Sequence, residues 1–177
     1  MKKKHIKNTI KEYFFINPTS KLRVREIERE LNLPLPSVIN YTKELITEKI
    51  LKTIIIGKVT LFSADRSSKE YLLQKRLFNI QKIYNSQLIK HLIENYSNPT
   101  IVLFGSYSKG EDIEDSDVDL YIETATKKEF DLRKYEKLIK RKIEIFNFKN
   151  IKEVKNKFLA NNILNGITIN NFIEVFK

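Results

Sequence analysis

Apolar side chains recur every three or four residues through the first fifty residues, and this spacing predicts three amphipathic helices. Asn17-Pro18 should end the first helix and Pro34 the second, while Ser37 or Pro36 is placed to begin the third. The apolar positions of the three helices are, in order, Ile6, Ile10, Tyr13 and Phe14; Ile27, Leu31 and Leu33; and Val38, Tyr41, Leu45 and Ile46.

Strand patterns surround these helices. Leu22–Val24 is a short β-prone run before the second helix, and two longer β-branched runs, Leu51–Ile56 and Val59–Phe62, follow the third. Gly57-Lys58 joins the longer runs, and glycine supplies the positive φ that a tight hairpin requires. The predicted order in the first half is therefore helix, short strand, helix, helix and a two-stranded hairpin.

The middle of the chain, residues 67–97, contains neither Gly nor Pro and keeps a helical period throughout. We expect one long connecting helix here, with Ser67 or Ser68 as its N-cap and its end at Tyr96–Pro99. Such a helix could bridge the two halves of the chain, pair with that of a second copy in a homodimer, or be an ordinary amphipathic packing helix.

The second half alternates strands with helices. Thr100–Phe104 is apolar without a helical period, which is typical of a buried strand, and residues 117–122 alternate in period two. The remaining predicted elements are a helix at 130–140, a strand at 142–148, a helix at 151–164 that stops at a left-handed Gly166, and a last strand or extension at 167–176.

Composition narrows the class of protein. The chain of 177 residues is 41 % hydrophobic, enough to build a core, and its lack of cysteine excludes disulfide frameworks, cysteine zinc sites and thiol catalysis. No apolar run reaches the roughly 18 residues of a membrane helix, and polar residues follow the basic N-terminus too soon for a signal peptide. We therefore expect a soluble cytoplasmic protein with no membrane partner.

The net charge of +11 is distributed unevenly. Residues 1–97 carry +10 and residues 98–177 only +1. A basic front half favours binding to the phosphates of nucleic acid. The near-neutral second half conceals six acids in nine positions, from Glu111 to Asp119, and metal binding explains this cluster best.

Asp117 and Asp119 carry the clearest chemical signal. Because side chains alternate along a strand, both aspartates should project from one face, with their Cβ atoms roughly 7 Å apart. Like charges placed in this way repel each other, and a divalent cation between them turns repulsion into attraction. Oxygen ligands at this spacing suit Mg²⁺ or Mn²⁺, so the pair predicts a metal site.

Gly105-Ser106 follows the buried strand, and ten residues separate it from Asp117. A Gly-Ser turn lets backbone N–H groups and a hydroxyl approach phosphate oxygens closely. A phosphate-binding turn shortly before a metal-binding carboxylate pair is the arrangement that transfer from a nucleoside triphosphate requires.

The segment LFGSYSKGEDIEDSDVDLYI resembles the signature of the polymerase-β-like nucleotidyltransferase superfamily, in its minimal (MNT-like) branch. Ser108 stands where this family usually has alanine. The positions that fit the family pattern are Phe104, Gly105, Ser106, Tyr107, Lys109, Gly110, Ser116, Asp117, Asp119 and Leu120. The resemblance implies an α/β domain with a mixed sheet and Mg²⁺-dependent transfer of a nucleoside monophosphate.

The same resemblance assigns roles to individual residues. It implies that Asp117 and Asp119 hold the metal ions. Gly105 and Ser106 would cradle the phosphates, and Lys109 would assist them electrostatically.

The family also has a third carboxylate, which lies on a later strand between two hydrophobic residues. Glu144, between two isoleucines, is the acid of the second half that fits this triplet, although the family more commonly has aspartate. Glu144 would complete the metal shell or act as the base that activates the acceptor hydroxyl.

The first half resembles the winged helix-turn-helix, in which the third helix enters the DNA major groove and the hairpin touches phosphates. By that resemblance Asn40 and Lys43 would meet base edges, although Glu44 on the same face would be unfavourable beside phosphate. The side chains expected at phosphates are Arg23, Arg25 and Lys58. Winged helices also serve as packing or dimerisation modules, and this alternative stays open.

We therefore predict an α+β chain with a winged helix-turn-helix at 1–65, a connecting helix at 66–97 and a nucleotidyltransferase domain at 98–177. The predicted function is Mg²⁺-dependent transfer of AMP from ATP to an unidentified protein or nucleic-acid acceptor, with release of pyrophosphate. The alternative is a DNA-binding regulator or an antitoxin-like partner of a toxin–antitoxin pair. Its transferase domain would then only bind nucleotide or a small helical HEPN-type protein, a frequent companion of this branch.

Overall fold

The structure is a computed structural model that describes residues 2–126, 128 and 130–176, with the side chains of residues 2–4 excepted. It divides into two compact units, Met1–Phe78 and Asn79–Lys177. Among the described helices, none combines the length and the apolar character needed to span a membrane.

The first unit consists of helices and a small sheet in the order predicted. A core of fully buried apolar side chains, including Ile10, Phe14 and Leu45, joins the helices to one another. The elements are α1 (Lys2–Ile16), β1 (Lys21–Leu22), α2 (Val24–Leu31), α3 (Leu35–Thr47), β2 (Leu51–Ile56), β3 (Val59–Ala64) and the first part of α4 (Lys69–Asn85).

Two element boundaries in this unit differ from the prediction. Val24 is the first residue of α2 rather than part of a strand, because the Glu26 carboxylate accepts a hydrogen bond from the backbone N–H of Arg23 (2.7 Å) and caps the helix there. The third helix begins at Leu35, two residues before Ser37, with Pro36 in its first turn, where a missing N–H costs nothing.

The hairpin prediction is confirmed. β2 and β3 pair antiparallel from Leu51↔Ala64 to Ile56↔Val59, and Gly57 takes a φ of +60° in the turn. β1 adds to the other edge of β3, which gives a three-stranded sheet of order β1-β3-β2.

The second unit is built around a four-stranded sheet, which is mixed, as predicted, and has the strand order β6-β5-β4-β7. β4 pairs antiparallel with β5 and β7, and β5 pairs parallel with β6. The elements are the rest of α4, then α5 (Leu88–Asn95), β4 (Thr100–Phe104), α6 (Gly105–Lys109), β5 (Val118–Glu123), α7 (Arg133–Ile139), β6 (Ile143–Phe148), a 3₁₀ turn (Ile151–Glu153), α8 (Lys157–Leu164) and β7 (Ile167–Asn170).

Both faces of this sheet are covered by apolar side chains. Ile101, Leu103 and Leu120 belong to the larger core on one face, and Val102 and Tyr121 to a smaller core on the other. Every residue of β4 is buried, which confirms the prediction that this apolar run is a central strand.

The prediction of one continuous helix over 67–97 is wrong. The structure has two helices, α4 and α5, with a break at Ser86-Gln87, where Gln87 takes a φ of +67°. The Ser86 hydroxyl donates to the carbonyl of Ile83 (2.6 Å) and accepts from the backbone N–H of Leu88 (3.2 Å). A side chain therefore replaces the helical backbone bonds at a point where no glycine or proline marks the break.

The prediction for the C-terminal segment is partly wrong. Residues 151–164 form a 3₁₀ turn and the short helix α8 instead of one helix, and the last strand ends at Asn170. Gly166 is not in the left-handed conformation; a Cβ atom there would lie 2.6 Å from Val102 Cγ1 and 2.7 Å from the carbonyl oxygen of Leu103. This glycine permits close packing against β4 and does not serve to reverse the chain.

Candidate active site

The three predicted carboxylates lie at the same end of the sheet. Asp117 precedes β5 in extended backbone, and Asp119 is the second residue of that strand. The parallel register of β5 and β6 sets Asp119 beside Glu144, and the antiparallel register sets it opposite Phe104, the last residue of β4. Both aspartates are partly buried, whereas Glu144 is exposed on the edge strand β6.

The electrostatics of Asp119 reflect this crowding. The pKa of Asp119 is raised to about 6, mainly by burial and in addition by the negative charges of Glu144 and Asp117. Three carboxylates thus lie in one region. The charged groups that shift the pKa of Asp119 are both acids, so they repel its ionised form. Their oxygen atoms are the donors that Mg²⁺ and Mn²⁺ prefer.

The metal shell is not preassembled from protein side chains. Within the part of the chain that the structure describes, no three His, Cys, Asp or Glu side chains are arranged closely enough to hold a metal ion. The donor set fits a divalent cation in its chemistry, and the exposed Glu144 is the register neighbour of Asp119.

Gly105 lies directly against this carboxylate pair. Its φ is +71°, and a Cβ atom built on it would overlap Oδ2 of Asp119. The absence of a side chain is therefore required twice, by the backbone conformation and by the approach of Asp119. Gly105 and Ser106 were predicted in a turn, and they form the first residues of the one-turn helix α6.

The remaining residues of α6 fix the segment in place. The Ser108 hydroxyl, which takes the place of the family's usual alanine, donates to the carbonyl of Gly105 (2.8 Å) and is buried. Lys109 is exposed at the end of the helix, and Gly110 closes it with a φ of +76°. The structure thus brings Gly105 next to Asp119 and leaves the Lys109 side chain in solvent.

The turn before Asp117 is held by a serine of the same motif. The backbone N–H of Ile113 donates to the Ser116 hydroxyl (2.9 Å), and the N–H of Ser116 returns a bond to the Ile113 carbonyl (3.1 Å). This pair of bonds sets the direction in which the chain enters β5.

Asp112 is a site residue whose role the sequence does not reveal. It is 1 % exposed, and its Oδ2 accepts hydrogen bonds from Nη2 (3.1 Å) and Nε (3.3 Å) of Arg141, which is 8 % exposed. Its Oδ1 accepts from the side-chain amide of Asn79 (2.8 Å), which also donates to the carbonyl of Tyr107 (2.9 Å).

The prediction that metal binding accounts for the acidic cluster Glu111 to Asp119 is therefore wrong for Asp112. Its carboxylate is engaged in a buried ion pair that ties the loop before β5 to the residues before β6. Arg141 lies 29 residues from Asp112 in the chain, and no spacing rule connects two residues so far apart.

The residues predicted to contact nucleic acid are all exposed in the first unit. Arg23, Lys43 and Lys58 line one cavity of about 440 Å³ between α3 and the hairpin, whereas Arg25 and Asn40 lie outside it. The other lining residues of that cavity are Val24, Ile39, Thr42, Val59, Thr60 and Phe62.

Glu44 on the same helix is neutralised by a neighbour. Lys7 lies 2.9 Å from the Glu44 carboxylate and also pairs with Glu48, and the Glu48 hydrogen bond is the largest cause of the raised pKa of Lys7. The acid that was expected to be unfavourable beside phosphate therefore has a cation of its own.

Comparison with known proteins adds one finding. Residues 86–169 match the family model described as "Nucleotidyltransferase domain". The matched range includes the whole of α6, β5 and β6 and all six residues predicted for the transferase site. No curated protein and no solved structure matches the chain. The family match supports a nucleotidyltransferase domain in the second half of the chain, and it does not extend to residues 1–85.

Proposed function

We propose that this protein is a metal-dependent nucleotidyltransferase that moves a nucleoside monophosphate, AMP from ATP, to an acceptor hydroxyl and releases pyrophosphate. The observation that carries the proposal is the packing of Gly105 against Asp119, with Glu144 as the register neighbour of Asp119, inside a segment that matches a nucleotidyltransferase domain. A phosphate-binding glycine and a metal-binding carboxylate need this proximity if they are to act on one triphosphate.

The metal would be held by Asp117, Asp119 and Glu144. Their carboxylates supply oxygen donors only, and a bound cation would offset the burial and the neighbouring negative charges that raise the pKa of Asp119. When bound, Mg²⁺ or Mn²⁺ supplies charge neutralisation at the reacting phosphate.

The protein groups position the triphosphate and the acceptor. Gly105 permits the backbone to approach the phosphates, the Ser106 hydroxyl and N–H can donate to them, and Lys109 adds positive charge from solvent. The acceptor oxygen forms a bond to the α-phosphorus while the bond from that phosphorus to the α,β-bridging oxygen breaks. The acceptor proton passes to a carboxylate, for which we propose Glu144, and pyrophosphate leaves.

Binding of nucleotide and metal tests this proposal without knowledge of the acceptor. Wild-type chain should bind Mn²⁺-ATP in a calorimeter, and the D117N/D119N variant should lose that binding. D115N is the matched control, because Asp115 is an exposed aspartate of the same loop that lies outside the proposed site. Equal binding by D117N/D119N and D115N would overturn the assignment of the metal ligands.

Transfer itself is tested with ATP labelled either at the α- or at the γ-phosphorus. Cell extract containing RNA and protein should acquire the α-label and not the γ-label, and only when the chain carries intact Asp117 and Asp119. Labelling that persists in D117N/D119N would remove the transferase assignment.

A second function is favoured by the first unit, which we propose to be a DNA-binding winged helix at 1–65, ahead of a connecting segment at 66–97 and a transferase at 98–177. The order of α1, β1, α2, α3 and the hairpin, with β1 paired to β3, supports it. Arg23, Lys43 and Lys58 meet at one cavity, which supports their joint contact with a phosphate backbone. Asn40 would face base edges, and Arg25 would add a further phosphate contact.

DNA binding is tested by the salt dependence of duplex affinity. The R23Q/K43Q/K58Q variant should lose binding and show a shallower dependence of log K on log salt, by about 0.9 for each phosphate contact removed. K21Q/K49Q/K52Q serves as control, because these exposed lysines lie in the same unit and outside that cavity. Equal loss of duplex affinity in both variants would contradict a specific DNA-binding site at this cavity and would show that binding depends only on the total charge of the unit.

These functions are separable by experiment. DNA binding that is unaffected by D117N, without nucleotide turnover, would make the chain a regulator whose transferase domain only binds nucleotide. Transfer of AMP to a helical HEPN-type protein would make it the antitoxin-like partner of a toxin–antitoxin pair. Sedimentation of the full chain tests the homodimer that the sequence left open as one alternative.

A further inference from the structure

The second unit has a basic segment that its near-neutral total charge conceals. Six of the ten residues from Arg133 to Lys142 are Lys or Arg, and Glu136 is the one acid among them. This segment comprises α7 and the three residues that precede β6. The charge of the second unit is therefore divided between an acidic loop, Glu111 to Asp119, and this basic stretch.

The basic side chains converge on one open surface cleft of about 420 Å³. Every side chain that lines the cleft carries a formal charge, and five of the seven are cations. The lining residues are Glu114, Arg133, Glu136, Lys137, Lys140, Arg141 and Lys142.

Part of this charge is already engaged within the protein. Arg133 pairs with Asp131 (2.7 Å) and Arg141 with the buried Asp112, while the Glu136 carboxylate accepts from the backbone N–H of Ile143 (3.1 Å). Lys137, Lys140 and Lys142 are exposed, and no described residue forms an ion pair with any of them.

Helix capping does not account for these three lysines together. Lys137 and Lys140 lie at the C-terminal end of α7, where a cation is favoured by the helix dipole. Lys142 lies beyond the helix in the connection to β6, where that effect has already fallen off. Three cations around one cleft exceed what a seven-residue helix requires.

The cleft adjoins the candidate active site. The carbonyl of Lys142 accepts from the N–H of Val118 (2.8 Å), the residue between Asp117 and Asp119. Glu144 follows Lys142 by two residues, which is about 7 Å along a strand. A ligand held in the cleft therefore lies beside the three carboxylates.

We propose that this cleft binds the phosphate backbone of a single-stranded polynucleotide, which is the acceptor of the transfer reaction; the acceptor role, though not the binding, rests on the proposed function. Charge complementarity carries the proposal. Lys137, Lys140 and Lys142 set three cations around one cleft, and a polynucleotide strand offers one negative charge per nucleotide to match them. With no aromatic side chain among the lining residues, binding is through the backbone charges and is independent of sequence.

The triphosphate of the donor nucleotide is a weaker match to the cleft. It is a compact group that needs to contact Gly105 and the carboxylates at once, and neither Gly105 nor any of the three carboxylates lines the cleft. A polynucleotide, by contrast, extends past the carboxylates, and its terminal hydroxyl can reach them while its backbone stays on the lysines.

Fluorescence anisotropy of labelled 20-residue oligouridylate and oligodeoxythymidylate tests the proposal on the full chain. The R23Q/K43Q/K58Q background is used so that the cations of the first unit contribute little. In it, K137Q/K140Q/K142Q should weaken binding at least tenfold at 100 mM salt and reduce the slope of log K against log salt by about 2, or ~0.7 per contact. K149Q/K152Q/K155Q is the matched control, because it removes the same charge from exposed positions of the same unit outside this cleft.

The expected result is loss of oligonucleotide binding in K137Q/K140Q/K142Q and not in its control, with circular dichroism unchanged in both. Oligonucleotide binding is measured without ATP or added metal, so a failure of the transferase assignment leaves this readout intact. Equal loss in both lysine variants, or no binding by the parent at 50 mM salt, overturns the proposal. So does loss of fluorescent ATP binding in K137Q/K140Q/K142Q with oligonucleotide binding retained, which would assign the cleft to the triphosphate.

Discussion

Gly105 and Asp119 lie so close together that a Cβ atom on the glycine would overlap Oδ2 of the aspartate. Gly105 directly follows Phe104, which is the last residue of β4 and the register partner of Asp119 in the adjacent strand β5. The antiparallel pairing of β4 with β5 thus forces the glycine and the carboxylate together. The segment proposed to bind phosphate and the strand proposed to bind metal are therefore held together by the pairing of the sheet.

Gly105→Ala should therefore impair both folding and function. The substitution places a side chain at a φ of +71° and against Asp119, and we expect the free energy of unfolding to fall by about 1–3 kcal/mol. Because the Asp119 carboxylate has to move away, Mn²⁺-ATP binding should be lost. Urea denaturation and calorimetry measure the two effects.

Gly57→Ala separates backbone strain from the clash. Gly57 also has a positive φ, +60°, but a Cβ atom there would meet nothing within 4 Å. We expect G57A to cost about 1 kcal/mol and to leave nucleotide binding unchanged. If G105A and G57A have equal effects on Mn²⁺-ATP binding, the contact with Asp119 has no functional role.

Asp119 should make the metal-free protein less stable as the pH rises. Its pKa of about 6 exceeds the ordinary value of 3.8, so between these values the folded chain binds more protons than the unfolded chain. The stability that the protonated carboxyl contributes is complete below pH 4 and lost as the pH passes 6, on the order of 1–2 kcal/mol after solvent screening.

The D119N variant isolates this contribution. In EDTA, the stability of D119N relative to wild type should increase from pH 4 to pH 7, as measured by urea denaturation at each pH. A constant difference across that range would show that burial and neighbouring carboxylates do not raise the pKa of Asp119.

Much of this fold was predictable because its signals are local. The apolar run of β4, the period-two alternation of β5 and the glycine of the hairpin turn each report on a few adjacent residues. The break between α4 and α5 was not predictable, because neither Ser86 nor Gln87 is a residue type that normally ends a helix. The break depends on hydrogen bonds of the Ser86 hydroxyl to the backbone, and serine also forms such bonds inside intact helices.

The candidate site was predictable only as far as its motif extends. Gly105, Asp117 and Asp119 follow one another in one short segment, whereas the partnership of Asp112 with Arg141 depends on tertiary packing. An acid in a cluster looks the same in sequence whether it binds a metal or a buried arginine. The position of Glu144 beside Asp119 also depends on tertiary structure, because the connection that contains α7 sets the parallel register of β5 and β6.

Divalent metal should stabilise the protein through the three carboxylates. Mg²⁺ or Mn²⁺ added at neutral pH relieves the repulsion at Asp119, and saturation at about 100 times the dissociation constant stabilises the folded chain by up to ~2.7 kcal/mol. The melting temperature should rise with metal in wild type and in D115N, and not in D119N. E144Q should show a reduced rise, and a full rise in E144Q would remove Glu144 from the metal shell.

Removal of one partner of the buried Asp112–Arg141 pair should be the most destabilising change near the site. Asp112→Asn removes the negative charge that pairs with the Arg141 guanidinium, and Arg141 is only 8 % exposed. We expect the free energy of unfolding, measured by urea denaturation, to fall by about 3 kcal/mol or more. Asp131→Asn, which breaks the exposed pair with Arg133, should cause no resolvable change.

Because replacement of both charges by apolar residues removes the unpaired cation, D112L/R141M should recover part of the stability lost in D112N. No recovery in the double variant would mean that hydrogen bonds to Asn79, rather than the paired charges, fix the loop before β5.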